Sequence, residues 1–446
     1  MYNKNLQYSL PIILLLLLVS VSAWSIFEDT NISIPLDPVK VELISNNGQY
    51  MLYCNGKPYY VKGAGSGYDR MESLAQHGAN AMRTWSVNNE QTSGKEILDR
   101  AYQLGLMVSM GIDVGRERHG FDYNNQAAVK EQFDRIQEEV LSLKDHPALL
   151  VWGIGNELNL NYQNVKVWDA VNNIARMIHE LDPNHPTTTM LAAGNVKEDI
   201  NTVIKYCPEI DFLSFQIYGD IANLPDYINE SNWDGAYIIS EWGVTGHWEV
   251  ERTTWDRPIE QTSHEKAVAI KENYEKVILA NKDRCIGSFV FLWGQKQERT
   301  PTWYGLFLEN GDETEAVDVM HYLWNKHWPD NRSPILHSLL LDEQNSSRSI
   351  QLSRGQKCKA IARVTDPDND TITYTWTIHK EIPHANKSEG GDLEQHTDKV
   401  LESIGEFNDE FEFTVPEPGE YRLFVYATDG KDHSGTANIP FLVLDN

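Results

Sequence analysis

Two glutamates stand where carboxylates could act together on one bond. Glu157 follows the apolar run Leu149-Leu150-Val151-Trp152-Gly153-Ile154-Gly155 and Asn156, and Glu241 follows Tyr237-Ile238-Ile239-Ser240 and precedes Trp242-Gly243. A carboxylate at the tip of an apolar strand is delivered to the rim of whatever sheet that strand joins. Two of them facing each other about 5 Å apart are what retaining glycoside hydrolysis requires. One attacks the anomeric carbon; the other protonates the departing oxygen and then activates water. Taken singly, Glu157 reads equally well as a solvated carboxylate at a helix start, and Glu241 as a buried, ion-paired structural residue. Their joint placement makes the chemical reading. Arg83, Trp85, Tyr218 and Trp293 end further apolar runs or follow them closely. The sequence offers no zinc-type spacing of Cys and His, and no Ser or Cys nucleophile with a placed His.

The elements that must position these residues repeat as strand, then helix. The strand candidates are Val61–Gly65, Asn80–Ser86, Leu106–Ile112, Leu149–Asn156, Thr187–Ala192, Phe212–Tyr218, Ala236–Trp242 and Ile286–Gly294, with amphipathic stretches such as Gly94–Leu104, Ala127–Leu143, Val165–Leu181 and His264–Ala280 between them. Near-continuous apolar strands alternating with helices predict a parallel sheet covered on both faces. Eight such units over residues 61–330 predict a closed (β/α)8 barrel, whose active site lies at the C-terminal ends of its strands. Glu157 then ends the fourth strand and Glu241 the seventh, across the same rim. A doubly wound sheet is the rival topology. It would need an acidic residue about 20 positions after a glycine-rich turn, and that region reads Arg83-Thr84-Trp85.

The flanks divide differently. Residues 1–23 carry Lys4, the apolar run Leu10–Val19 and the small residues Val21-Ser22-Ala23. They predict an export signal, hence a secreted, periplasmic or cell-surface protein with no membrane span after cleavage. Residues 24–60 hold an extension and a β-hairpin around Asn46-Asn47-Gly48, placed to close one end of the barrel. After the linker Asn331-Arg332-Ser333-Pro334, residues 331–446 read as short alternating strands of an immunoglobulin-like β-sandwich, with a long polar loop over 381–399. The turn Asp366-Pro367-Asp368-Asn369-Asp370 offers hard oxygen ligands for calcium, but the same composition makes an ordinary polar turn, and no cofactor is expected. Cys54, Cys207, Cys285 and Cys358 show no pairing pattern. The net charge of −27 repels phosphate backbones and excludes nucleic acid as a partner. With 13 Trp and 20 Tyr, it fits a neutral β-linked polysaccharide or oligosaccharide gripped on flat aromatic faces.

Gly155-Asn156-Glu157 after the fourth strand and Ser240-Glu241-Trp242-Gly243 at the seventh resemble the signature of glycoside hydrolase clan A. The resemblance implies that Glu157 is the acid/base, Glu241 the nucleophile, and Asn156 the residue that holds the substrate 2-hydroxyl. By the same resemblance, Arg83 hydrogen-bonds the nucleophile, Tyr218 positions it, and Trp293 is the platform beneath the sugar. Trp85, Trp242, Trp248, Trp303 and Tyr304 fall at strand ends and could line further subsites, although each alone reads as packing. Asp113, Arg116 and His119 follow the third strand in a polar loop that reads first as solvated, with contact to substrate hydroxyls as the alternative. The long connection Thr245–Pro258 is expected to shape the cleft. The barrel is similar to that of glycoside hydrolase family 2, which places two β domains before its barrel. A signal, a clan-A barrel and one C-terminal sandwich look more like family 158, which would imply an endo-acting β-1,3-glucanase. A transglycosylase or β-mannanase of the clan, and a catalytically silent glycan-binding barrel, are the competing expectations.

Overall fold

A computed structural model describes residues 38–89, 91–382, 397–406 and 408–445; the proposed export segment lies outside them. Three short antiparallel strands come first: β1 (Val41–Asn46), β2 (Gln49–Cys54) and β3 (Lys57–Tyr59). Eight parallel strands then close on themselves. They are β4 (Val61–Ser66), β5 (Ala81–Arg83), β6 (Met107–Ile112), β7 (Leu149–Asn156), β8 (Thr187–Ala192), β9 (Phe212–Gln216), β10 (Tyr237–Trp242) and β11 (Cys285–Trp293). The expected (β/α)8 barrel is therefore the observed one. β5 is shorter than its apolar run suggests, because the chain leaves the sheet at Thr84 once Arg83 is placed.

The helices form where local signals agree with burial. The helix over Gly94–Leu104 starts on a capping box in which Ser93 and Glu96 satisfy each other's backbone donors, and it stops at Gly105 with φ of 72°. The helix over Lys166–Leu181 turns Val167, Val171, Ile174 and Ile178 inward at helical spacing. Val39, Val41 and Leu52 of the N-terminal sheet pack against Val61, Leu150, Phe212 and Ile286 at the starts of barrel strands. The hairpin thus seals the end opposite the C-terminal rim of the barrel strands.

The C-terminal region forms two sheets. One orders β12 (Ile335–Leu341), β14 (Lys357–Thr365) and β17 (Glu410–Thr414). The other orders β13 (Gln351–Ser353), β19 (Ser434–Leu444), β18 (Gly419–Thr428), β15 (Thr373–Lys380) and β16 (Lys399–Glu406). Their shared core centres on Trp376, fully buried and stacked on Phe411 at 5.5 Å between ring centres. Trp376 is therefore core and offers no sugar platform. β16 was not apparent in the sequence: it is an edge strand whose Val400 and Leu401 face solvent, so it lacks the inward alternation that marks a strand. All four cysteines are free thiols, three of them buried.

Barrel and sandwich belong to one compact unit, clasped at one point by charge. The Glu313 carboxylate lies 3.3 Å from His77 Nε2 of the barrel and 3.4 Å from His433 Nε2 of the sandwich. The Glu313 backbone also bonds to Asp432 O and Ser434 N. Burial alone would lower the His433 pKa, but Glu313 outweighs it and raises it to about 9. Burial alone would raise Glu313, but the two histidines hold it down at about 2. The sign follows from linkage. Stability from His433 is complete below its ordinary value of 6.5 and is lost as pH rises through about 9. Stability from Glu313 is complete above its ordinary value of 4.5 and is lost as pH falls through about 2. Asp318 beside them is raised to about 7, chiefly by burial; its contribution is complete below its ordinary value of 3.8 and is lost as pH rises through about 7, before the His433 transition. Tm should therefore be highest between these limits. His433→Gln should flatten the decline on the alkaline side; an unchanged alkaline slope in that variant would show that the clasp carries no stability.

Candidate active site

Glu157 reaches the rim through a backbone kink. Gly155 has φ of 75° and Glu157 φ of 54°. A Cβ on Gly155 would come within 2.4 Å of Leu158 Cδ1, so only glycine fits the turn that ends β7. Glu241 is placed by strand alternation. Its neighbour Trp242 points out of the barrel, fully buried against Tyr274, and Glu241 points in.

Four side chains converge on the Glu241–Asn156 pair. Arg83, itself 1% exposed, donates from Nη1 to Glu241 Oε2 at 3.0 Å and to Ser240 O at 2.8 Å, and from Nη2 to Asn156 Oδ1 at 2.8 Å. Gln216 donates to Asn156 Oδ1 at 2.7 Å and to Glu241 Oε2 at 3.2 Å. Trp85 Nε1 donates to Glu241 Oε2 at 3.3 Å, and Tyr218 donates to Glu241 Oε1 at 2.7 Å. Two donors on Asn156 Oδ1 settle which end of that amide is oxygen. Its NH2 is thus turned to the cleft as a donor.

Glu157 meets a different environment. Arg118 donates to its carbonyl oxygen at 2.6 Å and to Oε2 at 3.3 Å, and Arg116 donates to Asn156 O at 3.0 Å. Burial, and then the charge of Glu241, push the Glu157 carboxyl up to about 7 against the opposing pull of Arg118, Arg83 and Arg116. Burial and the adjacent Glu241 also push the Tyr218 hydroxyl well above its ordinary value, so it stays a donor. One carboxyl is therefore built to hold a proton near neutrality. The other accepts four hydrogen bonds and is held rigidly by them.

Both glutamates line one cleft of about 350 Å³, with Trp85, Asn156, Tyr218, Phe291 and Tyr304 among its walls. Arg83 braces it from behind. Trp293 is a correction. It is fully buried outside the barrel, with Nε1 on Ser73 Oγ at 3.3 Å and its ring against Trp324 and Phe307. The cause is a bulge: Val290 pairs with Ala64 but Trp293 with Ser66, three residues on β11 against two on β4. That inverts the alternation, so Phe291 and Leu292 face the cleft instead. Trp242 and Trp303 are also buried away from it, whereas Trp248 and Tyr304 line it. Arg116 and His119 line it too, contrary to the solvated-loop expectation. Arg118, Gln216, Lys296 and Glu298 were missed. The cation-rich run Arg116-Glu117-Arg118-His119 was the available signal for Arg118; Gln216 carries none.

Two groups of possible metal ligands occur among the described residues, Glu313 with Asp318 and His433, and Asp366 with Asp368 and Asp370. Neither lines the cleft. In the second, Asp366 Oδ1 accepts the backbone N–H groups of Asp368 and Asp370 at 2.9 Å each, and Asp370 pairs with Lys431 at 2.7 Å, the bonding of a polar turn.

Residues 71–247 match the family model described as glycosyl hydrolases family 2, TIM barrel domain. Among solved structures, the chain is similar to a Bacteroides uniformis β-glucuronidase, at 14% identity and a TM-score of 0.47 over 91% of this chain and 48% of that one. An FMN-binding β-glucuronidase from Facaelibacterium prausnitzii L2-6 is similar at 16% identity and a TM-score of 0.48, over 91% and 59% respectively. An endo-1,4-β-mannanase from Eisenia fetida is similar at 14% identity and a TM-score of 0.44, over 64% and 95%. The chain thus spans about half the length of the two β-glucuronidases. The family 2 barrel match spans the second to seventh strands of the eight-stranded parallel barrel.

Proposed function

We propose that this chain is a glycoside hydrolase that retains anomeric configuration, with Glu241 as nucleophile and Glu157 as acid/base. The contrast between the two carboxyls carries the reading: Glu157 is raised to about 7 by burial and by Glu241, while Glu241 is fixed by Arg83, Trp85, Gln216 and Tyr218. Divergent environments of this kind divide two like groups into an acid and a nucleophile. Glu241 attacks the anomeric carbon as Glu157 donates its proton to the glycosidic oxygen. Glu157 then takes a proton from water, whose oxygen displaces Glu241. Asn156 offers its amide donor to the sugar's 2-hydroxyl.

The substrate we propose is a neutral β-glucan, cut internally at β-1,3 bonds, by an exported enzyme. Two observations favour a neutral chain. The cleft's cations are engaged by the protein's own acids, Arg118 with Glu157, Arg116 with Asp113, and Lys296 with Glu298. Trp85, Tyr218, Trp248, Phe291 and Tyr304 meanwhile supply aromatic wall. The β-1,3 linkage is what the resemblance of a barrel followed by a sandwich to glycoside hydrolase family 158 implies. The test is to incubate the protein with laminarin, curdlan, β-mannan, mixed-linkage glucan and xylan and to size the products over time. Mid-sized oligomers appearing early from laminarin or curdlan alone are expected. Release from mannan or xylan instead would overturn the linkage, and products longer than the starting oligomer would show transfer to sugar hydroxyls.

A further inference from the structure

The cleft is walled on one side by two loops, and both are anchored from behind by the sandwich. The loop after β10 carries His247 and Trp248, and the loop after β11 carries Lys296, Glu298 and Tyr304; all but His247 line the cleft. The loops are tied to each other near the cleft. Trp303 Nε1 donates to Thr245 O at 3.0 Å, the His247 N–H donates to Tyr304 Oη at 3.1 Å, and Glu298 lies 3.3 Å from His247 Nε2.

Behind that wall sits a buried polar knot on Glu260, which is 5% exposed. Its Oε1 accepts from Lys266 Nζ and from Thr302 Oγ1 at 2.8 Å, and its Oε2 accepts from Thr300 Oγ1 at 2.6 Å. The fourth donor comes from the sandwich, Asn438 Nδ2 on β19, at 2.6 Å from Oε2. Arg422 on β18, 2% exposed, completes the anchor. Its Nη1 donates to Asn438 Oδ1 at 2.7 Å, its Nη2 to Pro258 O at 2.9 Å, and its Nε to Glu381 Oε1 at 2.7 Å. Pro258 and Glu260 belong to the first loop, Thr300 and Thr302 to the second. Thr300 is paired backbone to backbone with Glu298 in the cleft wall. A continuous path of hydrogen bonds therefore runs from two sandwich residues to the cleft surface.

We propose that Asn438 and Arg422 are positioning residues for the substrate cleft, setting the place of both wall loops through Glu260 and so how tightly the glycan is held. This rests on the reading of the cleft as a glycan site. A buried network needs every partner; with Asn438 removed, Glu260 Oε2 loses one of its two donors and Arg422 Nη1 its acceptor, and the loops are free to relax. Neither sandwich residue touches the two glutamates, so the chemical step should be untouched while binding weakens.

The test uses the full chain with Asn438→Ala, Glu260→Gln and the double variant Asn438→Asp/Glu260→Gln. The double variant restores the contact with donor and acceptor exchanged. Each single variant should raise KM for the preferred glucan roughly three- to tenfold, the loss of about one hydrogen bond. Its kcat should stay within twofold and the pH profile should not move, and the double variant should return KM toward the parent value. Hydrogen exchange in 243–262 and 294–314 should quicken in the single variants and slow again in the double, whether or not a substrate has been found. Lower Tm with unchanged KM and unchanged loop exchange would overturn the proposal, as would a double variant no better than the singles. A parent protein inactive on every polymer would sink the glycan reading alone, leaving loop exchange to decide the positioning role.

Discussion

Glu241→Gln should abolish turnover, by at least about 10⁴-fold, while leaving the fold and glycan binding in place. Loss of an activated nucleophile is among the largest single-residue effects in enzymes. The substitution preserves the local bonding, because the amide oxygen can accept from Arg83, Gln216 and Trp85 while the NH2 donates to Tyr218 Oη, which carries a free lone pair. Circular dichroism and Tm should match the parent to within a few degrees, and a laminarin oligomer should still bind by calorimetry. Equal loss of Tm and activity would show Glu241 to be structural. Unimpaired turnover would place the nucleophile elsewhere.

Glu157→Ala should lower kcat on natural glycans by about 10²–10⁴-fold, the ordinary contribution of a positioned proton donor. Activated aryl glycosides, whose leaving groups need no proton, should still form the glycosyl-enzyme. Azide, which needs no base, should then enter the space of the missing carboxyl and speed turnover. For a retaining enzyme the product is the β-azide; the α-azide would overturn the mechanism. The same group predicts the pH profile. Glu157 must hold its proton to act as acid and is raised to about 7, so kcat/KM should fall as pH rises through that value. An enzyme at full rate well above pH 8 would show another donor.

Much of this site was legible because strand ends and chemistry coincide in a barrel. The eight apolar runs located Asn156, Glu157, Arg83, Tyr218 and Glu241, and all five meet at one place. Trp293 was misplaced because a bulge changes strand parity without changing composition; an apolar run reads alike with and without one. Arg118 and Glu298 were missed because βα loops have no period to read, and their position depends on what they bond to. Gln216 was invisible for a third reason. It lies inside the run Phe212–Tyr218 as the sequence reads, although β9 ends on it, and within a run a polar side chain signals only that it faces something polar, here Glu241 and Asn156. β16 shows the converse in the sandwich, since an edge strand with apolar residues outward satisfies backbone geometry rather than a core.

The bulge in β11 also determines how this cleft can change over generations. Nine residues of one strand serve two masters. Trp293 is locked among Ser73, Phe307 and Trp324, where any smaller residue would open a void in the helix layer. Phe291 and Leu292, two and one positions earlier, line the cleft instead. Substitutions at 291 and 292 can therefore reshape the cleft wall while the scaffold stays fixed at 293, separating change in the cleft from change in the fold within adjacent residues.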